Sequence, residues 1–237
     1  MLAPGFYNMN CMDALPQFPD KFFDLAIVDP PYGDGLNNKT LEENAEHYNR
    51  FGGRFAKYKT PDKIVERRGG QWAAKYANNI IEWDVAPPPA YFTELFRVSK
   101  NQIIFGGNYF NLPPTRCFVV FRKTNIPLKG FTMAPVEYAW TSFTRNACMI
   151  EAFTQGTSAE PRFHPTQKPI ALYEELLERF AHPGDRILDT HVGSGSSLIA
   201  CYNMRFDAWG FEINEGYYRQ AAERIAEHTA QIRMDLF

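Results

Sequence analysis

Asp29, Pro30, Pro31 and Tyr32 follow the apolar run "DLAIV" (24–28) without a break. A carboxylate, two chain-stiffening rings and a flat aromatic face stand in consecutive positions. Pro30 has no N–H and its ring fixes the backbone. The carbonyls of Asp29 and Pro30 are thereby released from strand pairing and can accept hydrogen bonds. Beside Tyr32 they form a slot for a planar group bearing an amino substituent: the acceptors hold its N–H groups while the ring stacks on its face. Aspartate before proline is also a common turn former, so the meaning of the four residues depends on their company.

That company is a second motif. Gly193-Ser194-Gly195 links "RILDT" (186–190) to a helical pattern over 196–204. Glycine in such a turn lets a ligand approach the backbone closely. Farther along, "GFEIN" (210–214) brings Glu212 to the end of another strand. A glycine turn followed about 20 residues later by an acidic strand end is the arrangement that holds a nucleoside ribose. Leu198 stands where GxGxxG would have its third glycine, which weighs against a dinucleotide. Taken alone, GxG is equally a tight strand-to-helix turn. With the first motif it implies one place for a nucleoside cofactor and one for a planar amine.

The elements that must position these groups read as an α/β sheet. Short apolar runs predict strands at 24–28, 102–106, 117–121, 136–140, 186–190 and 208–213. Helices are expected at 88–98, 169–181, 196–204 and 215–230, alternating with strands as sheet-covering helices do. The first two begin at prolines, which suits a helix start. In the second, Leu172, Leu176, Leu177 and Phe180 share one face. Two stretches read as irregular. One runs from Asp34 to about Glu82. Within it Arg50, Arg54, Lys57, Lys59, Lys63, Arg67, Arg68 and Lys75 meet only Asp62 and Glu66 as opposing charges. The other runs from Thr144 to Phe163.

The 237 residues are 45% apolar and 22% charged, the balance of an ordinary folded protein, read here as one domain over 1–237. A formal net charge of −2 gives no global attraction to a polyanion, so such a partner must meet a local patch. Cys11, Cys117, Cys148 and Cys201 are far apart and the five histidines are scattered, a spacing that gives a metal site no support. The opening "MLAPGFYNMN" lacks the basic and apolar regions of a signal peptide. No run reaches the roughly 18 apolar residues of a membrane span. Reduced thiols in a cytoplasmic setting are expected.

The quoted motifs, with "NCMDALPQFPDKFFDLAIVDPPYG" (10–33), "YFTELFRVSKNQIIFGGNYF" (91–110), "VEYAWTSF" (136–143) and "HPTQKPIALYEELLERFAHPGDRILDTHVGSGSS" (164–197), resemble the beta-ordered DNA amino-methyltransferases that use S-adenosyl-L-methionine. Small solitary methylases of the phage type are the nearest likeness. The resemblance spans most of the chain. It implies a Rossmann-like methyltransferase sheet with helices on both faces and the catalytic motif ahead of the cofactor motif. It also implies that Asp29, Pro30, Pro31 and Tyr32 hold and stack the target base. Asp189, Thr190, His191, Gly193, Ser194 and Gly195 would line the cofactor, with Glu212, Ile213 and Asn214 at its ribose. Asn10 and Cys11 would lie by its adenine. His164, Thr166 and Lys168 would lie near its methionine end, as would Asp29.

The chain departs from the family twice: Asn10 replaces a common aspartate, and Thr190-His191 replaces a common Pro-Phe. An amide still accepts a hydrogen bond from an adenine amine. His191 suits packing better than catalysis. The target base cannot be reached inside a duplex, so it must be flipped out. In the family an aspartate in the first motif position goes mostly with adenine N6, which is the expectation here, with cytosine N4 as the alternative. Residues 50–75 are expected to contact DNA phosphates, through Arg50, Arg54, Lys57, Lys59, Arg67, Arg68 and Lys75; a solvated loop is the alternative. Many relatives place a recognition domain where this chain has only 144–163, so that segment is expected to be a short recognition loop, and a homodimer is expected. Other readings are a protein glutamine methylase, against which Asp29 and the basic stretch argue, and a catalytically inactive methylase-like binding module.

Overall fold

The computed structural model describes residues 1–33, 85–128, 134–154 and 162–234. The chain divides into two compact units: Met1–Pro30 with Pro87–Phe237, and Pro31–Ala86. Most of the second unit is the stretch 34–84, which lies outside the described residues. The expected DNA contacts Arg50, Arg54, Lys57, Lys59, Arg67, Arg68 and Lys75 all fall in that stretch.

Among the described residues, eight strands build the first unit: β1 (Gly5–Asn8), β2 (Phe23–Val28), β3 (Ser99–Phe105), β4 (Phe118–Lys123), β5 (Val136–Thr141), β6 (Cys148–Ala152), β7 (Arg186–Asp189) and β8 (Asp207–Glu212). They form one sheet in the order β1-β8-β7-β2-β3-β5-β4-β6. Neighbours are parallel except where β5 meets β3 and β4. Five helices accompany them: α1 (Cys11–Ala14), α2 (Pro89–Val98), α3 (Ile170–Phe180), α4 (Ser196–Asn203) and α5 (Glu215–Met234).

The central strands are apolar at nearly every position because both of their faces are covered. Successive residues point to opposite faces, and two separate cores result. Leu25, Ile27, Ile103, Phe105 and Ile187 pack with Leu172, Leu176, Leu177 and Phe180 of α3 and with Ala200 and Cys201 of α4. Ala26, Val28, Ile104 and Leu188 pack with Tyr91, Leu95 and Val98 of α2 and with Cys11 and Ala14 of α1. Pro88 and Pro89 start α2, and Pro169 precedes α3; a proline at these positions sacrifices no helical hydrogen bond.

The expected strands and helices are all present within a few residues of their anticipated bounds. Two strands were not anticipated, and both are sheet edges. β1 is four residues long and carries no fully buried side chain. β6 lies inside the stretch 144–163 that was expected to be an irregular recognition loop, and it corrects the irregular reading at 148–152. It pairs in parallel with β4 from Cys148 to Ala152. Only Ile150 in it is buried, while Met149 and Glu151 are exposed. One buried position gives no alternation to read.

The chain order reverses between β2 and β7. After β2 the next strand, β3, lies on one side; after β7 the next strand, β8, lies on the other. In an open α/β sheet a ligand binds beyond the carboxyl ends of the strands at such a switch point. Asp29 directly follows β2, and Asp189 ends β7.

Candidate active site

Asp29 does not stand alone at the end of β2. Its Oδ2 accepts a hydrogen bond from Lys168 Nζ, which also lies 3.2 Å from Glu137 Oε2. Glu137 in turn pairs with Lys123. Lys168 is 5% exposed, and its Nζ sits over the Phe105 ring, 4.5 Å from the centroid. Burial opposes the lysine's charge, yet Asp29 and Glu137 together outweigh it and raise the group above the ordinary lysine value. Burial would likewise raise the Glu137 carboxyl, but Lys168 and Lys123 overcome it and hold it down at about 2. Four alternating charges therefore run from Asp29 to Lys123. Pro30 closes the first compact unit, and Pro31 and Tyr32 open the second.

The glycine turn follows β7. Gly193 and Gly195 have φ of 55° and 83°, left-handed values that a side chain resists. Gly195 also caps α4. The Gly193 N–H donates to Glu212 Oε2 at 2.9 Å, and Asn214 N–H donates to Glu212 Oε1 at 2.8 Å. Glu212 thus ties the end of β8 to the turn, and each carboxylate oxygen retains a lone pair for a further donor. The missing third glycine is also explained. A Cβ on Gly210 would lie 2.7 Å from Leu198 Cδ1 and 2.7 Å from Val192 Cγ2. The strand, not the helix, gives up a side chain so that α4 can press on β8.

His164 of the "HPTQKP" turn packs on the same loop. A Cβ on Gly193 would stand 3.3 Å from the His164 ring, and the ring meets Tyr217 edge to face at 4.4 Å. Burial, then the charges of Lys168 and Arg162, lower His164 to about 3, so it is neutral. Thr166 N–H donates to its Nδ1 at 3.4 Å and Thr166 Oγ1 lies 3.2 Å from the same atom. The Lys168 carbonyl accepts from Ser196 Oγ at 2.7 Å. The expected cofactor residues His164, Thr166, Lys168, Gly193, Ser194, Gly195 and Glu212 are therefore joined in one hydrogen-bonded and packed assembly.

Asp189 is 3% exposed. Its Oδ1 accepts from His191 N–H at 3.0 Å and its Oδ2 from Ser197 Oγ. Burial raises its carboxyl to about 7; those two bonds oppose the rise, and the charges of Asp29 and Glu212 add to it. A carboxyl raised in the folded state stabilises the fold fully below its unfolded value near 4, and that stability is lost as pH climbs to about 7. Asp189→Asn cannot titrate. Between pH 5 and 8 the melting temperature of wild type is expected to fall relative to that of the variant; parallel curves would show that Asp189 does not titrate in this window.

The remaining expected residues have structural partners as well. Asn10 caps α1, its Oδ1 accepting from Met12 N–H at 2.9 Å; an amide oxygen has a second lone pair for a ligand. Cys11 lies in the α1–α2 core, where burial pushes its thiol up to about 12. Thr190 Oγ1 lies 2.6 Å from Tyr91 Oη and 2.9 Å from His191 Nδ1. His191 meets the Tyr91 ring edge to face at 5.3 Å, and burial lowers it to about 4. That is a neutral packing histidine. Asn214 Oδ1 accepts from Tyr217 N–H at 3.0 Å at the start of α5, while Ile213 is exposed.

Three contributors escaped the sequence reading: Glu137, Tyr91 and Arg224. Arg224 Nη1 donates to Ser194 O at 2.7 Å and to Ser196 Oγ at 2.9 Å, bracing the turn from α5. Nothing in the sequence around it signals this. Glu137 did leave a signal: it alternates with Ala139 and Thr141, both buried, so a charge falls on a core-facing position.

Comparison with known proteins shows the family of the chain. The DNA methylase family model, for N6 and N4 methyltransferases, matches residues 56–223. The chain is 42% identical over 230 residues to the type II methyltransferase M.HpaI of Haemophilus parainfluenzae, an alignment covering 91% of this chain and 72% of that protein. Among solved structures, the M1.HpyAVI–SAM complex aligns with a TM-score of 0.53 at 17% identity, covering 93% of this chain and 98% of that one. The cytosine-N4-specific PvuII DNA methyltransferase aligns with a TM-score of 0.55 at 13% identity, covering 98% and 93%. At these identities the two structures speak for the fold, which is the Rossmann-like methyltransferase sheet with its catalytic motif first. With Asp29 and the glycine turn meeting at the switch point of that sheet, the chain belongs to the DNA methylase family of N6 and N4 amino-methyltransferases.

Proposed function

We propose that the protein methylates adenine at N6 in a short DNA sequence, with S-adenosyl-L-methionine as donor. The observation that carries this reading is Asp29 at the carboxyl end of β2, beside the glycine turn that follows β7. The residues fit the cofactor. Glu212 has acceptor capacity for a ribose diol, and the turn is bare of side chains at Gly193 and Gly195. Burial above all, and then the charges of Asp29 and Glu212, raise the cost of ionising Asp189, a cost relieved by a ligand of net positive charge. When bound, the cofactor supplies an already activated sulfonium methyl.

An exocyclic amine on a base is a poor nucleophile because its lone pair is spread into the ring. Hydrogen bonds from its N–H groups to the Asp29 carboxylate and the Pro30 carbonyl localise that pair on nitrogen. Tyr32 stacks on the base, and holding both reactants in line supplies much of the rate. Adenine is preferred because an aspartate opens the motif, as in the adenine members of the family it resembles. DNA phosphates are met by Arg50, Arg54, Lys57, Lys59, Arg67, Arg68 and Lys75, and the active form is a homodimer.

The test is base-resolution sequencing of unmethylated plasmid after incubation with the protein and S-adenosylmethionine, with the mass in solution measured on the same sample. N6-methyladenine at one short motif and twice the chain mass are expected. N4-methylcytosine would replace the adenine assignment, and a fully active monomer would remove the dimer.

A further inference from the structure

The resemblance offers Lys168 as a cofactor contact, but its charge is committed elsewhere. Nζ lies between two carboxylates, Asp29 and Glu137, with the Phe105 ring beneath it. Its backbone is fixed as well: the carbonyl is held by Ser196 Oγ, and the next residue is the proline that starts α3. We propose that Lys168 is the positioning residue of Asp29, and that Glu137 holds Lys168 to that task. This rests on the reading of Asp29 as the acceptor of the target amine.

A carboxylate on a residue just past a strand end can rotate about two side-chain bonds, and each rotation moves the oxygen that must face the amine. Anchoring Oδ2 sets the plane and the direction of Oδ1. A carboxylate has about four lone-pair sites, so the anchor and the amine do not exclude each other. An ammonium paired only with Asp29 would follow that side chain as the substrate's N–H donors arrive. A second carboxylate prevents this. Glu137 is well placed because Ala139 pairs with Phe105, so Glu137 lies beyond the end of β3. Lys123, on the adjacent β4, keeps Glu137 charged and in place. A structural ion pair that merely closes the strand ends would look similar, and a double-mutant cycle separates the two.

Single-turnover methylation at saturating S-adenosylmethionine is the readout, with cofactor affinity measured by calorimetry. Lys168→Met is expected to slow wild type about 10²-fold, and to slow Asp29→Ala by less than about threefold. Lys168→Arg should recover part of the loss. Equal losses on the wild-type and Asp29→Ala backgrounds would overturn the proposal, because a structural role acts whether or not Asp29 is present. Should Lys168→Met fail to fold by circular dichroism, Glu137→Gln carries the same cycle with a loss of about tenfold that must vanish on Asp29→Ala. Near-normal turnover by Asp29→Ala alone would instead remove the reading of Asp29 beneath it.

Discussion

Asp29→Ala is expected to cut methyl transfer at least about 10³-fold while S-adenosylmethionine affinity stays within about threefold. The carboxylate is the group that would meet the amine, and alanine leaves nothing to polarise it. The cofactor assembly does not depend on it. The turn is held by Glu212 and Arg224, and His164 packs against Gly193. Removing Asp29 also leaves Lys168 paired with Glu137, so the variant does not strand a buried charge, an error that otherwise costs about 3–5 kcal/mol. The comparison is methyl incorporation per enzyme in a single turnover against calorimetric binding on the same preparation. Turnover above a tenth of wild type would mean that the amine is held elsewhere.

Glu212→Ala is expected to act on the other substrate. Two backbone N–H groups, of Gly193 and Asn214, converge on its two oxygens, and a ribose diol would use the lone pairs that remain. Hydrogen bonds to a charged group contribute about 1.5–3 kcal/mol, so the dissociation constant should rise about 10²-fold. Chemistry at saturating cofactor should fall less than about tenfold, because Asp29 and Lys168 are untouched. A raised dissociation constant with preserved turnover would separate this residue from Asp29; unchanged affinity would show that the ribose is bound without it. Burial raises the Glu212 carboxyl while the N–H groups hold it back, so isosteric Glu212→Gln should lose less.

Much of this was legible because the informative residues are local. Asp29 through Tyr32 are consecutive, and β2, β3, β7 and β8 declare themselves by apolar runs that only a doubly covered strand needs. Proline marked the start of α2 and of α3. The illegible parts are those in which distance along the chain hides distance in space. Lys168 and Asp29 touch although they lie 139 residues apart in the chain, so their pairing could not be read. Glu137 went unread, although its alternation with the buried Ala139 and Thr141 carried a signal. Edge strands β1 and β6 bury too little to show a period. Asn10 read only as a departure from a family pattern, and it is also a helix cap; His191 was read as a packing residue and sits between Thr190 and Tyr91.

Leu198 and Gly210 carry a broader lesson about substitution. The close approach of α4 and β8 needs one bare position at the contact, and in this chain the strand provides it. A side chain at 210 would meet Leu198 from the helix and Val192 from the turn at equal distance. Shrinking residue 198 alone therefore makes no room for one. A glycine that looks incidental within "AWGFEI" is consequently the less replaceable of the pair. Among relatives, glycine at 210 should persist whatever the size of residue 198.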